Sequence, residues 1–218
     1  MIKKFNQFIK ESNFPTSKEE IDLLCKKYGI VNYSINSDLS IDVQGGVYLN
    51  NLTLKSLPLR FSRVSGHFSC YNNQLTTLEG CPREVGGDFY CHSNLLTTLE
   101  GGPNEVGGYF YCFSNLLTTL KGGPIEVGGD FDGSSNRLTS LEGCPREVGG
   151  DFSCHYNPVS EIIDIFPDYK MVLKVWDDFD VVRNGNDVSA YRFGEMYLDI
   201  TGERFKGVLK FKNYKVVE

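Results

Sequence analysis

Hydrophobic and polar positions repeat every 21 residues through the middle of the chain. One column consists of Phe68, Phe89, Phe110, Phe131 and Phe152, and another consists of Asn73, Asn94, Asn115, Asn136 and Asn157. Leucine columns that begin at Leu75 and Leu78, and a proline column that begins at Pro82, keep the same spacing. A fixed period of this length predicts a solenoid, in which each coil contacts mainly its neighbours.

Within one period, Phe89 and Cys91 alternate with polar neighbours, which is the pattern of a strand. We expect Asn94 to turn the chain inward and to hydrogen-bond backbone groups of a neighbouring coil. The Gly-x-Pro return leg is predicted to be extended, because a 21-residue coil leaves little room for a helix. The Val-Gly-Gly that closes the period predicts a tight corner.

The string Phe-x-Cys-x-x-Asn-x-Leu-x-x-Leu resembles the leucine-rich repeat. The predicted fold is therefore a β-rich solenoid, a leucine-rich-repeat stack of about six 21-residue coils with one parallel sheet. The repeats are assigned to residues 46–166, between an N-terminal cap at 12–45 and a C-terminal cap at 167–218.

Both ends of the stack need caps because a bare solenoid end exposes apolar core. In the N-terminal cap, Ser17 and Glu20 form a capping box that predicts a helix ending before Gly29, and residues 30–43 alternate like a strand. In the mixed α/β C-terminal cap, we predict helices over 169–182 and 190–200 and a strand over 208–211.

Composition argues against several classes of function. The 218 residues carry a net charge of −6 and a pI near 5.2, which disfavours nucleic acid or an anionic membrane as the partner. No apolar run reaches the ~18–20 residues of a membrane span, and the N-terminus lacks the apolar stretch of a signal peptide.

The seven cysteines are interpreted as reduced core residues of a cytosolic protein. Cys70, Cys91, Cys112 and Cys154 fall at inward positions of the repeat. The alternative is a disulfide or metal ladder, but no CxxC pair or Cys/His spacing supports a metal, and no cofactor is predicted.

Longer strings resemble a more specific family. The repeat string GCPREVGGDFYCHSNLLTTLEGGP and the tail FPDYKMVLKVWDDFDVVR resemble leucine-rich-repeat proteins of large tailed bacteriophages. The resemblance covers residues 28–218 and implies the solenoid fold and a viral setting, in the host cytoplasm or the virion interior. It implies no catalytic or binding residues.

Residues 1–11, MIKKFNQFIKE, resemble the basic, amphipathic capsid-targeting peptides of myophage internal head proteins. In those proteins the prohead protease cuts after a Leu/Ile-x-Glu site. Ile9-Lys10-Glu11 fits that pattern, with Glu11 as the residue before the cut. The alternative is a helical extension that packs on the N-terminal cap.

Alternate strand residues point out of a sheet, so the repeat predicts three columns of outward residues. The first column begins at His67, the second at Tyr48 and the third at Asn50. Because adjacent strands lie ~4.8 Å apart, outward rings of neighbouring coils should touch. This predicted aromatic patch comprises Tyr71, Tyr90, His92, Tyr109, Tyr111 and Phe113. An acidic patch beside it comprises Asp130, Asp132 and Asp151.

Aromatic clusters ringed by charge are typical of protein-binding surfaces. The outward residues differ from coil to coil while the return legs repeat, which suggests that the fold does not fix them. The alternative is that the rings only stabilise the sheet through cross-strand contacts.

Other chemistry is less well supported by the sequence. The histidines fall in separate columns or distant coils, so no metal triad is predicted. The acidic patch offers oxygen ligands for a cation or an acid/base pair, but no nucleophile accompanies it. The acidic run at 176–180 is consistent with a catalytic segment or with the polar face of a capping helix.

A second acidic feature lies on the return leg. This glutamate ladder consists of Glu84, Glu105, Glu126 and Glu147. We expect it to be solvated and to be compensated by Arg83, Lys121 and Arg146, and the alternative is a contact for a basic partner.

Taken together, these patterns predict a non-enzymatic protein-binding module of a bacteriophage. Its partner would be a host or phage protein, engaged through the sheet face during host takeover or defence inhibition. One alternative is an internal head protein that is packaged and injected with DNA. The other is an enzyme or small-ligand binder that uses the acidic patch or the C-terminal segment.

Overall fold

The computed structural model describes residues 14–218, and the predicted processing site at Glu11 lies outside this range. The N-terminal cap contains helix α1 (Lys18–Tyr28) and strands β1 (Tyr33–Ile35) and β2 (Ile41–Val43). The coils contain β3 (Val47–Tyr48), β4 (Phe61–Val64), β5 (Phe68–Ser69), β6 (Glu84–Val85), β7 (Phe89–Tyr90), β8 (Glu105–Val106), β9 (Phe110–Tyr111), β10 (Glu126–Val127), β11 (Phe131–Asp132), β12 (Glu147–Val148) and β13 (Phe152–Ser153). The C-terminal part contains helix α2 (Ser160–Ile163), helix α3 (Tyr169–Phe179), β14 (Val182–Arg183), β15 (Asp187–Ser189), helix α4 (Ala190–Thr201) and β16 (Lys215–Val217).

The coils stack into a β-solenoid of about five turns, which confirms the predicted fold class. Its first sheet, the Phe sheet, has the order β13-β11-β9-β7-β5-β3 and is parallel throughout. The return legs form a second sheet, the Val sheet, in the order β2-β4-β6-β8-β10-β12, with β1 added antiparallel at its edge. The extended return leg is confirmed, and these legs also pair from coil to coil into a second sheet that the sequence did not predict.

Both sheets keep a register of one repeat, so identical residues stack on one another. Phe89 lies beside Phe110, and Val85 lies beside Val106. Neighbouring rings of the phenylalanine column stack with centroids 5.0–5.6 Å apart and planes within 10° of parallel. All seven cysteines are free and buried, which confirms their assignment to the core.

The asparagine column joins the coils through its side chains, as predicted. The Oδ1 atom of Asn115 accepts the backbone N–H of Leu96 at 3.0 Å. Its Nδ2 atom donates to the carbonyl oxygens of Cys91 and Cys112, both at 3.1 Å. One buried amide therefore satisfies backbone groups on two coils, which compensates for burying a turn.

The Val-Gly-Gly repeat makes the corner that the sequence predicted, since its glycines form a bend between a strand of the Val sheet and the next strand of the Phe sheet. A second corner, in the left-handed conformation, lies earlier in the coil, at Gly101 (φ 85°) and Gly122 (φ 82°). The first glycine after valine also permits close contact between coils: a Cβ atom on Gly107 would lie 2.4 Å from the carbonyl oxygen of Gly86. Only glycine tolerates this approach of backbone to backbone.

The N-terminal cap forms as its sequence predicts. The Oγ atom of Ser17 accepts the N–H of Glu20 at 3.2 Å, and Gly29 ends α1 in the left-handed conformation at φ 67°. Buried Ile21 and Cys25 attach the helix to the end of the stack.

The C-terminal cap covers the last coil with an aromatic contact and a hydrogen bond. Tyr169 packs on Phe152 with ring centroids 6.0 Å apart, and the indole Nε1 of Trp176 donates to the Oγ atom of Ser140 at 3.2 Å. Helix α4 is confirmed, whereas α3 ends three residues before the predicted position because Asp180 adopts a left-handed φ of 45°.

The predicted strand over 208–211 is wrong. Val208 is 81% exposed, and the strand of this region is instead β16, which pairs in parallel with β15. None of the helices within residues 14–218 combines the length and apolar character needed to cross a bilayer.

Candidate functional site

The six rings of the aromatic patch meet on the outer face of the Phe sheet. Tyr71 and His92 stack with centroids 4.5 Å apart, and His92 and Phe113 stack at 4.2 Å, each pair within 10° of parallel. The rings of Tyr111 and Tyr109 stack at 5.6 Å. Contacts of 5.4 Å between Tyr90 and Tyr111, and of 6.1 Å between Tyr111 and Phe113, join the two groups into one cluster.

Mutual contact limits how much of each ring is open to solvent. Tyr109 is 42% exposed, and the other five rings are partly buried. Within the stack of Tyr71, His92 and Phe113, the facing ring faces cover one another, so the stack presents ring edges and its two outer faces to solvent. The patch is therefore a set of side chains whose positions are fixed by their neighbours before any partner binds.

Three rings of the aromatic patch are kept uncharged near neutral pH. Burial lowers the pKa of His92 below its usual range. Burial, together with a hydrogen bond from the Tyr90 hydroxyl to Oδ2 of Asp88 at 2.7 Å, raises the pKa of Tyr90 well above its usual value. Burial also raises the pKa of Tyr111. These rings thus contribute apolar and hydrogen-bonding surface rather than charge.

The carboxylates of the acidic patch are partly used by the fold. Oδ1 of Asp130 accepts the backbone N–H of Asp151 at 2.9 Å, and Oδ1 of Asp132 accepts that of Ser134 at 2.9 Å. Within residues 14–218, none of the three aspartates forms an ion pair with lysine, arginine or histidine. The same residues contain no group of three or more side chains placed to hold a metal ion.

The first outward column has a structural role that the sequence did not indicate. Nδ1 of His67 accepts the backbone N–H of Asp88 at 2.9 Å, and Oδ1 of Asp88 accepts that of Tyr109 at 2.8 Å. A glycine precedes each residue whose N–H is accepted, and its missing side chain leaves space for the accepting side chain. A Cβ atom on Gly108, which precedes Tyr109, would lie 2.1 Å from Oδ1 of Asp88. The interpretation that the fold leaves these outward residues free is therefore wrong for Asp88 and Asp130.

Tyr48 extends the aromatic surface and was not included in the predicted patch. It belongs to the same outward column as Tyr90 and is 62% exposed at the terminal strand β3. With Tyr71, Asp88 and Tyr90 it lines a shallow pocket of about 240 Å³. The 21-residue column was the signal that could have identified it.

The glutamate ladder lies on the outer face of the Val sheet, along a groove of about 560 Å³. Its predicted compensation is wrong. Glu84 pairs with Arg63 at 3.3 Å, and Lys121 pairs at 3.5 Å with Glu142, which lies outside the ladder. Because the other three glutamates have no ion pair within residues 14–218, this face is negative and solvated.

The acidic run at the end of α3 forms part of the C-terminal cap. Trp176 is only 3% exposed, and its indole is bound to the last coil. Asp180 ends the helix and pairs with Arg192 at 3.2 Å and with Arg183 at 3.6 Å. These contacts favour the capping interpretation over the catalytic one.

Neither a protein-family model, nor a curated protein, nor a solved structure matches this chain. The bacteriophage setting therefore stays a prediction from the sequence.

Proposed function

We propose that this protein is a non-enzymatic binding module that docks a partner protein on the outer face of the Phe sheet. The observation that supports this most strongly is the aromatic patch, six touching rings on a rigid sheet with carboxylates beside them. Tyrosine-rich, well-packed surfaces of this kind supply most of the binding free energy in protein interfaces.

Preorganisation strengthens the proposal. Ordering a side chain on binding costs ~0.5–1.5 kcal/mol, and rings that already stack on one another avoid most of that cost. Tyr90 is held further by its hydrogen bond to Asp88, which is itself bonded to the backbone of the next coil. The surface thus gains affinity from rings that need not be ordered by the partner.

A protein partner fits this surface better than a saccharide does. Sugars stack on open ring faces, whereas Tyr71, His92 and Phe113 cover one another's faces at 4.2–4.5 Å. Ring edges and tyrosine hydroxyls suit the mixed apolar and polar surface of a polypeptide. The non-enzymatic part of the proposal is supported by the buried thiols and by the hydrogen bonds that already engage the aspartates.

The partner is proposed to be a host or phage protein, a setting taken from the sequence resemblance. The test is capture from a host lysate by the tagged protein, followed by affinity measurement with the recovered partner. The double variant Tyr90→Ala/Tyr111→Ala should lose about 30-fold or more in affinity, since one such anchor contributes ~2 kcal/mol.

A matched double variant on the other face is the control. Glu105 and Glu126 also lie on adjacent coils in register, so Glu105→Ala/Glu126→Ala should bind the partner as wild type does. The proposal is wrong if the glutamate variant loses the partner and the tyrosine variant keeps it, and the site then lies on the Val sheet. Circular dichroism should show that both variants remain folded.

A second function is favoured by Ile9-Lys10-Glu11 in the sequence. If the chain is an internal head protein, peptide mapping of purified virions should recover a copy that begins at Ser12. Intact peptides that begin at Met1, or absence of the protein from virions, would exclude processing after Glu11.

A further inference from the structure

The ring stack on the Phe sheet stops abruptly at one coil. Its outward column runs through Tyr71, His92 and Phe113, continues with Ser134, and reaches a ring again at His155. The face of Phe113 that turns away from His92 therefore looks toward a coil whose side chain at this position is small.

The gap has the thickness of one planar group. Phe113 and His155 are two coils apart, which corresponds to ~9.6 Å at the strand spacing of ~4.8 Å. A planar group needs about 3.5 Å on each side for van der Waals contact, so one such group fits between the two rings. The floor of this slot is Ser134, whose Oγ atom lies 2.8 Å from that of Ser153.

A carboxylate stands at the side of the slot. Oδ1 of Asp132 is fixed by the N–H of Ser134 at 2.9 Å, which holds the carboxylate beside the slot. Oδ2 of Asp132 has no hydrogen-bond or ion-pair partner within residues 14–218. The open face of an aromatic ring and an unpaired carboxylate oxygen thus meet at one place.

We propose that this slot binds an arginine side chain of the partner protein, a proposal that rests on the function proposed above. A guanidinium group is planar, so it can stack on Phe113, and a cation over an aromatic face is attracted by the ring quadrupole. Its N–H donors match a carboxylate, so the same group can bond Asp132. A lysine side chain has the positive charge but no planar group to stack on Phe113. A neutral ring is planar but has no charged N–H donors for Asp132.

The other end of the same stack provides a comparison within the molecule. There Tyr71 faces Asn50, and the neighbouring outward residue on that coil is Tyr48 rather than an aspartate. The carboxylate nearest that end, Asp88, is already bonded through both oxygens, to the N–H of Tyr109 and to the hydroxyl of Tyr90. A cation there would find a ring but no unpaired carboxylate oxygen. The structure therefore assigns the arginine to the Phe113 end.

The experiment is an NMR titration of the whole protein with a ten-residue Gly/Ser peptide that carries one arginine. Matched peptides carry lysine or citrulline at the same position. The arginine peptide should shift the Ser134 amide and the Phe113 ring, with a Kd at least tenfold lower than that of the lysine peptide. The citrulline peptide, which keeps the plane and loses the charge, should bind more weakly still.

Two variants test the two halves of the slot. Asp132→Asn keeps an acceptor for the N–H of Ser134, and Phe113→Ala removes the stacking face; each should weaken the arginine peptide at least tenfold. Glu126→Gln, which removes an exposed carboxylate on the Val sheet, should leave it unchanged. The proposal is overturned if arginine and lysine peptides bind equally, or if Asp132→Asn binds the arginine peptide as wild type does.

Binding of the variants to the partner recovered from lysate distinguishes failure of this proposal from failure of the proposed function. If Tyr90→Ala/Tyr111→Ala loses the partner while Asp132→Asn and Phe113→Ala keep it, the arginine assignment is wrong and the docking face stands. If Asp132→Asn loses the arginine peptide while the double tyrosine variant still binds the partner, the slot binds a guanidinium group but the docking face is wrong.

Discussion

Replacing Asn115 with alanine should lower the free energy of unfolding by about 2 kcal/mol, the cost of leaving one buried backbone N–H group unpaired. This group is the N–H of Leu96, which Oδ1 of Asn115 accepts at 3.0 Å, whereas the carbonyls of Cys91 and Cys112 also accept from Asn94 and Asn136 at 3.1 Å and so keep a partner. Asn115 is 6% exposed, so water cannot easily replace the amide. A loss of this size is a large part of the 5–15 kcal/mol that stabilises a typical domain.

Asn73 is the matched control. It has the same position two coils earlier, where it accepts the N–H groups of Leu52 and Leu54 at 3.0 and 2.9 Å and donates to the carbonyl of Leu49 at 2.8 Å. The two N–H groups lie nearer to solvent than that of Leu96 does, so water can replace these bonds and Asn73→Ala should cost about 1 kcal/mol. The measurement is urea unfolding, followed by circular dichroism for the whole chain and by Trp176 fluorescence for the C-terminal cap.

Asn115→Asp tests the direction of the bonds. A carboxylate can still accept from Leu96 N–H, but its other oxygen would face two carbonyl oxygens, so the folded state should favour the protonated acid. The pKa of this introduced aspartate should therefore be higher in the folded than in the unfolded chain. Relative to wild type, the variant should lose stability as pH rises above about 4. Equal costs for the Asn115 and Asn73 alanine variants, or an Asn115→Asp cost that does not change with pH, would refute this account of the column.

Three further outcomes follow from the structure, each measured by urea unfolding. Gly107→Ala should lower the free energy of unfolding by about 3 kcal/mol or more because its Cβ would overlap a backbone carbonyl oxygen. Gly194→Ala, in α4 with no atom within 4 Å of the added Cβ, should raise it by ~0.5–1 kcal/mol. Equal effects of the two substitutions would show that the coils do not approach as closely as described. Burial raises the pKa of both Cys144 and Cys154 to about 12 from 9.0. As pH rises, these thiols therefore ionise in the unfolded chain before they ionise in the folded one, and the free energy of unfolding should fall above pH 9 by ~1.4 kcal/mol per pH unit for each thiol. A free energy of unfolding that stays constant from pH 9 to 10.5 would rule this out. Tyr156→Asn should gain ~0.5–1 kcal/mol, since a tyrosine at φ 59° is strained and asparagine tolerates that conformation; no gain would show that the strain is relieved elsewhere.

Repetition made much of the fold predictable. The phenylalanine and asparagine columns recur because every coil repeats the same local requirement, and the roles expected from Phe89 and Asn94 are those found. The Val sheet was missed because each of its repeat strands, such as Glu84–Val85, contains one apolar residue and is followed by two glycines, so it shows no alternating pattern. Its pairing becomes visible only after the coils are placed in register.

Interactions that join distant parts of the chain were the least predictable. Asp88 bonds an N–H that lies 21 residues away, so its structural role depends on the register and not on its neighbours in sequence. The last strand was misplaced because residues 208–211 and 215–217 have similar composition, and pairing with β15 selects the latter. The contacts of the aromatic patch were predictable from the strand spacing, whereas its exposed faces depend on the side-chain orientations.

The strict register has a consequence for how the gene can change. The segment LEGCPREVGGDF occurs twice without a single difference, once beginning at Leu78 and once at Leu141, three repeats apart. Recombination between the two copies would remove three whole coils and rejoin the chain at equivalent points, so both caps would still meet matching coils. The lost coils carry Tyr90, Tyr111 and Asp132, so one genetic event would leave a shorter scaffold that folds but no longer has its proposed recognition surface.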